Sequence, residues 1–190
     1  GGAHYIGLPE VNRPFRGWKA TFFEGGIRVP FFIRWPAKIK PGTTFAPAAG
    51  HVDIFAPSAA AAGATLPADR KLDGVNLVPY VNGETQGAPH ESLFWRSGEY
   101  RVLLSGDWKI QVDGRQGKTW LFDLKGDPTE KTNVAGTNAD KLAEMKALLD
   151  KVNGEQSKPL WPSLQEGAIA IDHPLDVAEK PDDEYIYWSN

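Results

Sequence analysis

The chain has 190 residues, 41% hydrophobic and 24% charged, with a formal net charge of −3. That composition is globular rather than disordered, and so small a charge, with basic residues scattered along the chain, argues against a nucleic-acid or membrane partner. Cysteine is absent, which removes disulfides, thiolate metal sites and a cysteine nucleophile together and leaves the redox compartment open.

No apolar run approaches the length needed to cross a bilayer. The first residues, Gly1-Gly2-Ala3-His4-Tyr5, lack the basic segment and apolar core of a signal peptide. Residues 1–19 are expected to be irregular and extended, since Gly7, Pro9, Pro14 and Gly17 break any period. Ile27 to Pro36, β-branched and aromatic between Gly and Pro, predicts a strand, with Pro30 confining it to an edge or bulge. After the loop at Lys40-Pro41-Gly42, Val52 to Phe55 and Ala59 to Ala62 predict a buried alanine-rich helix ending at Gly63. A strand followed by a helix is the tail of an α/β layer, and one strand makes no sheet, so the rest of that sheet is expected ahead of residue 1.

From Leu93 the period becomes two. Tyr100, Val102 and Leu104 form one run, Trp108, Ile110 and Val112 a second, and Thr119 to Leu124 a third, joined at Ser105-Gly106 and across Asp113 to Gly117. This predicts an antiparallel meander. Asn138 to Val152 predicts an amphipathic helix with Leu142, Met145, Leu149 and Val152 on one stripe and Asn153-Gly154 at its end. From Lys158 four prolines and no period predict a tail wrapped on the surface, anchored by Trp161 and Trp188. The expected fold class is an α/β fragment plus α+β, with divisions at 1–84, 85–157 and 158–190.

No self-contained catalytic site is visible. There is no phosphate loop, no His-Glu-x-x-His pair and no Gly-x-Ser-x-Gly elbow. His4, His51, His90 and His173 stand far apart, without partners at helical spacing, and read as surface or core-edge residues. The run Asp182-Asp183-Glu184 reads as a solvated face, and the seven tryptophans as core and junction residues.

One segment stands out. Arg16-Gly17-Trp18-Lys19, four residues, then Glu24-Gly25-Gly26-Ile27-Arg28-Val29-Pro30 and an apolar run ending in Trp35-Pro36 is similar to a signature of the sulfatases, in the alkaline phosphatase superfamily. Val52-Asp53-Ile54-Phe55, Leu72-Asp73-Gly74-Val75-Asn76-Leu77, Ser105-Gly106-Asp107-Trp108-Lys109 and Leu121-Phe122-Asp123-Leu124 with Asp127-Pro128-Thr129-Glu130-Lys131-Thr132-Asn133 extend the resemblance to the C-terminal portion of that family. Ala56-Pro57 departs from it by shifting the family's proline by one.

The resemblance implies hydrolysis of sulfate esters by a formylglycine, made from Cys or Ser in Cys/Ser-x-Pro-x-Arg, beside a calcium ion held by Asp and Asn. That motif does not occur in the sequence. The family's metal-binding Asp-Asn pair usually directly precedes a Gly-Gly like Gly1-Gly2, so no metal ligand is expected in this chain. Formylglycine and calcium are expected in a full-length parent, whose compartment the resemblance gives as periplasmic or secreted. Lys19 is the expected catalytic, sulfate-binding residue: its ammonium can pair with sulfate oxygens and with charge on the leaving oxygen. His4 is a second, weaker candidate for substrate contact. Glu24 and Arg28 are expected to pair across Gly25-Gly26, whose glycines would supply positive φ, and Arg16 to act as a brace.

The expected function is therefore part of a sulfuric ester hydrolase acting on aryl or carbohydrate sulfates, inactive alone, with the missing N-terminal half as its partner. Association of two copies through the apolar segment 27–35 is a further expectation. The alternatives are a stand-alone module binding sulfated carbohydrate through Lys19, Arg16 and exposed Trp rings, and a phosphoesterase of the same superfamily.

Overall fold

The computed structural model of the chain describes residues 2, 11–161 and 163–189. In chain order, α1 is a single turn at Glu24–Ile27, and a 3-10 turn at His51–Ile54 runs into α2 (Phe55–Ala61). Next come α3 (Val78–Val81) and four strands, β1 (Leu93–Ser97), β2 (Tyr100–Ser105), β3 (Trp108–Asp113) and β4 (Lys118–Asp123). The long helix α4 (Ala139–Glu155) precedes β5 (Glu166–Ala170) and β6 (Tyr185–Ser189). Two compact units result: Gly1–Pro30 together with Phe94–Asn190, and Phe31–Leu93. They do not follow the divisions expected at 84 and 157. Phe22 and Phe23 are built into the core of the sheet that begins 70 residues later, and so are Ile171 and Ile186 from the tail.

In the first unit, β1 to β4 form an antiparallel sheet in sequence order. Two residues, Gly106-Asp107, join β2 to β3, and Gly106 adopts φ +56°, the left-handed conformation that such a tight turn needs. The register aligns Leu103, Ile110 and Leu121 across three strands, and in the next row Val102, Gln111 and Trp120. Because side chains alternate faces, the first row meets α4, packing with Met145 and Leu149 and the half-buried Leu142 and Val152. The second row faces the opposite way, into a core with Phe22, Phe23, Ile171 and Ile186. The predicted meander and amphipathic helix are thus present, and α4 runs past the Asn153-Gly154 stop to Glu155.

Three expectations change. Ile27 to Pro36 forms no ladder: α1 takes its first residue, and 28–35 run without a strand partner among the described residues, leaving Phe31, Phe32 and Ile33 exposed. The alanine-rich helix forms, with Gly63 at φ +67° just beyond it, but only Ala56 of its residues is buried. The tail is no mere surface wrap. β5 and β6 pair with each other, β6 is tied to β1 through Ser189 and Ser97, and Trp161 is exposed while Trp188 packs on Phe22 at 5.4 Å.

In the second unit, Asp53 is fully buried and organises its surroundings. Its carboxylate accepts N–H bonds from Gly50 (2.7 Å) and Val75 (2.9 Å) and lies 2.8 Å from His90 Nε2. The Leu72–Leu77 turn passes so close that a Cβ at Gly74 would strike the Val52 carbonyl.

The inner face of β3 is the unusual feature of the first unit. Lys109, Gln111 and Asp113 alternate with apolar residues as a solvent face would, yet all three are fully buried. Lys109 Nζ lies 2.9 Å from both Glu24 Oε1 and Glu130 Oε1. Removing one partner of a buried ion pair typically costs about 3–5 kcal/mol, because the other charge is left without compensation. Lys109→Met is expected to lower stability by about that amount, and adding Glu130→Gln should recover part of it. Urea denaturation of the three proteins checks both outcomes.

Candidate functional site

Lys19 stands at the tip of a turn spanning Trp18 to Thr21. Thr21 donates its N–H (2.9 Å) and its hydroxyl (2.9 Å) to the Trp18 carbonyl, and Thr21 Oγ1 accepts the Trp18 N–H at 3.1 Å. Ala20, third in the turn, adopts φ +74°, a conformation that costs a residue with a Cβ roughly 1–2 kcal/mol. The turn therefore keeps its shape only because its surroundings hold it. Lys19 is exposed, and its Nζ has no hydrogen-bond or ion-pair partner among the described residues.

Two clamps hold the turn. On one side the Lys19 N–H donates to the Gly2 carbonyl (2.8 Å). Asn12 joins the same strands of chain: its Oδ1 accepts the Gly2 N–H (2.7 Å), and its Nδ2 donates to the carbonyls of Gly2 (3.1 Å) and Gly17 (3.0 Å). On the other side, the Gly25 N–H donates to the Arg16 carbonyl at 2.7 Å. A Cβ at Gly25 would lie 2.6 Å from that oxygen, and one at Gly26 would lie 2.5 Å from the Trp18 carbonyl and also strike that of Thr21. Both glycines are helical, so their role is close approach to the Lys19 turn, not the positive φ expected for them.

Beneath α1 lies the charged anchor. Glu130 Oε2 accepts the Glu24 N–H (2.5 Å), and Glu130 Oε1 accepts from Gln111 Nε2 (3.0 Å). Gln111 accepts from the Tyr100 hydroxyl, which accepts the Phe22 N–H at 3.1 Å. Burial pushes up the pKa values of Glu130 and Tyr100, with Lys109 opposing the shift at Glu130. Arg28 reaches Glu24 at 3.6 Å from an exposed position, a contact worth little in water. Arg16 is more firmly held. It grips Asp172 through Nε and Nη2 (2.6 Å each), meets Glu184 at 2.6 Å, and covers the Phe23 ring at 4.9 Å. Burial opposes its charge, but Asp172 and Glu184 outweigh burial and raise its pKa. Glu184 also pairs with Lys118 (2.7 Å) and accepts from Trp120 Nε1 (3.2 Å). Burial works against its charge too, yet Lys118 and Arg16 bring its pKa down to about 2.

Several expected residues thus fall into one assembly, in which Lys19 sits on a turn held by Arg16, Gly25 and Gly26 over Glu24. His4 lies outside the described residues. Missing from the expectations were Asn12, Lys109, Glu130 and the carboxylates of the tail. The Asp182-Asp183-Glu184 run is not a solvated face: Asp183 binds His173 Nε2 at 2.9 Å, and Glu184 is the hub just described. The available signal was Lys109 at an inward position of β3, legible only once a covering layer is known. Of the seven tryptophans only Trp161 is exposed, so no row of exposed rings supports the carbohydrate-module alternative.

The four-stranded antiparallel sheet with its packed helix and small second sheet is the architecture of a sulfatase C-terminal portion. The chain belongs to the family described as N-sulphoglucosamine sulphohydrolase, C-terminal, whose model matches residues 16–158. It is 38% identical over 117 residues to the steryl-sulfatase of Rattus norvegicus, covering 62% of this chain and 20% of that protein. It is 31% identical to the N-acetylgalactosamine-6-O-sulfatase of Bacteroides thetaiotaomicron, over 73% of this chain and 30% of the relative. The solved structure of Ps i-CgsB superposes with a TM-score of 0.66 at 28% identity, over 79% of this chain and 34% of that one. The chain thus spans about a fifth to a third of the length of these proteins.

Two outcomes follow from the clamps. Gly26→Ala is expected to cost about 3 kcal/mol or more, since overpacking against backbone cannot be relieved by a rotamer change; the thermal midpoint measures it. Glu184, held below its unfolded value, contributes stability above pH 4.5 that is lost as the pH falls toward about 2. The stability difference between the protein and Glu184→Gln should therefore be full above pH 4.5 and shrink steadily toward pH 2, as read by urea unfolding across that range.

Proposed function

We propose that this chain is the C-terminal part of a sulfuric ester hydrolase acting on aryl or carbohydrate sulfate esters, and that it supplies Lys19 to the sulfate site. The observation that carries this reading is the exposed Lys19 ammonium, without a partner among the described residues and carried on a strained and doubly clamped turn. A cation positioned in advance loses little conformational freedom on meeting an anion, which is what electrostatic stabilisation of a transition state needs. Its three N–H donors suit the oxygens of a tetrahedral sulfate and the charge developing on the leaving oxygen. The named relatives are a steryl-sulfatase and an N-acetylgalactosamine-6-O-sulfatase, so the ester function is what they share, and the rest of the substrate varies.

For the parent protein we propose calcium and a formylglycine. The described residues contain no group of three or more His, Cys, Asp or Glu able to hold a metal ion, and the sequence has neither Cys nor Ser-x-Pro-x-Arg. The residues here do not fit either group, so no step is drawn through them, and the chain by itself is read as inactive. The exposed Phe31, Phe32 and Ile33 are read as the surface that the N-terminal part of the parent covers.

The test is the longest product of the same gene, assayed on p-nitrocatechol sulfate with and without Lys19→Ala. The expected result is a fall in kcat/KM of about 100-fold or more with an unchanged thermal midpoint, because the side chain is exposed. Equal turnover by the two proteins would remove Lys19 from the site.

A further inference from the structure

β5 and β6 are joined by a strap, residues 171–184, that begins and ends beside Arg16. Its base is closed by the Ile171 N–H, which donates to the Glu184 carbonyl at 2.9 Å. Asp172 and Glu184, near the two ends, are the carboxylates that hold the Arg16 guanidinium. One residue further along from each end lies a cross-tie. His173 Nε2 stands 2.9 Å from Asp183 Oδ2, with the two side chains only 15% and 13% exposed. The other ring nitrogen, Nδ1, stands 3.0 Å from the Pro174 carbonyl.

Both neighbours of the ring are acceptors. A carbonyl oxygen has no proton to give, and neither has an ionised carboxylate. Asp183 is kept ionised: it accepts the Lys180 N–H at 2.6 Å, and that bond, with His173 and the charge of Lys180, holds its pKa below the usual 3.8. A neutral imidazole carries one N–H and one lone pair, so one of the two contacts would set lone pair against lone pair. The imidazolium satisfies both. In agreement, the Pro174 carbonyl, Asp183 and the charge of Glu179 raise the His173 pKa above the usual 6.5, while burial opposes them. Arg16 from residues 12–18 and Lys118 from β4 face the adjoining carboxylates, Asp172 and Glu184. Tyr185, just beyond the strap, is pushed up by burial and by Glu179 and Asp183.

We propose that the strap is a pH-operated clasp, closed by His173 in its charged form and opened by loss of that proton, and that its closure keeps Asp172 and Glu184 on Arg16. Arg16 in turn receives the Gly25 N–H on its carbonyl at 2.7 Å, the bond that backs the Lys19 turn. The clasp therefore bears on that turn whichever anion Lys19 meets. A histidine whose folded pKa is raised contributes stability that is full below 6.5 and lost as the pH climbs through the folded value. Asp183 sets the other limit: its contribution is full above 3.8 and lost as the pH falls through its lower folded value.

The experiment uses the longest product of the same gene and follows hydrogen exchange by mass spectrometry at two kinds of site. One is the carbon-bound hydrogen between the His173 ring nitrogens, whose exchange rate tracks the charge of the ring. The other is the backbone amides of residues 171–184 and 16–28, corrected for the intrinsic effect of pH. His173 is expected to titrate above 6.5, and Asp183→Asn to bring that midpoint down. Amide protection in both segments should fall as the pH rises from 6.5 to about 8.5, by about tenfold for each unit by which the His173 midpoint exceeds 6.5. His173→Gln, which cannot carry the charge, should remove that pH dependence while α4 exchanges as in the native protein, the sign that the variant is folded. A His173 midpoint at or below 6.5, protection indifferent to pH, a pH dependence that survives His173→Gln, or a strap that opens while residues 16–28 keep their protection would overturn the proposal.

Discussion

The first unit depends on one buried ammonium. Lys109 projects from the middle of the sheet between Glu24, which opens the helical turn after the Lys19 loop, and Glu130, which lies beyond β4. Burying these charges is expensive, and apolar side chains of equal volume would commonly give as much stability or more. The triad contributes position instead. An apolar contact tolerates a shift of an ångström. A carboxylate that must meet Lys109 Nζ while its own N–H meets Glu130 does not. With Glu24 fixed, Gly25 and Gly26 bring their backbone against the carbonyls of residues 15 to 21, and the turn carrying Lys19 has one place to lie.

That chain of contacts explains which parts of the fold could be read in advance. The meander and α4 were legible because one face of the sheet and one stripe of the helix are apolar at the right period, and Leu103, Ile110, Leu121, Met145 and Leu149 do meet there. The second face was not. Lys109 and Gln111 alternate with Ile110 and Val112 as exposed residues would, and nothing local distinguishes a polar side chain facing water from one facing a buried carboxylate. The difference lies about 85 residues away in sequence, at Glu24. Alternation reports that a strand has two unlike faces, not that the polar one is wet.

The same limit governed the ends of the chain. Ile27 to Pro36 has the composition of a strand, yet strand propensity needs a neighbour to act on, and the segment has no strand partner among the described residues. The tail shows the reverse case. Its prolines hid two short strands, whose pairing depends on Ile169 facing Ile186 and on Asp113 accepting the Tyr187 N–H at 2.9 Å. At the glycine pair, residue identity alone points to a position where a side chain is excluded, and the fold supplies the reason: the carbonyl oxygens of residues 15 to 21 exclude it.

The described residues with a Cβ and positive φ, Ala20 and Glu130, both lie where the site is built. Strain of this kind persists only where surrounding contacts over-determine it, and each has such contacts. Ala20 is flanked by the Thr21 bonds to Trp18 and the Lys19 bond to Gly2, and Glu130 by Lys109, Gln111 and the Glu24 N–H. Ala20 adjoins the exposed Lys19, and Glu130 holds its carboxylate against Lys109 and Gln111. Arg16 then binds the two halves of the assembly, because its carbonyl receives Gly25 while its guanidinium holds Asp172 and Glu184 of the tail. A loop whose only task was to connect α1 to the chain before it would need neither the strain nor the clamps. Their coincidence around one ammonium that has no partner among the described residues is what supports the proposal that Lys19 meets the sulfate.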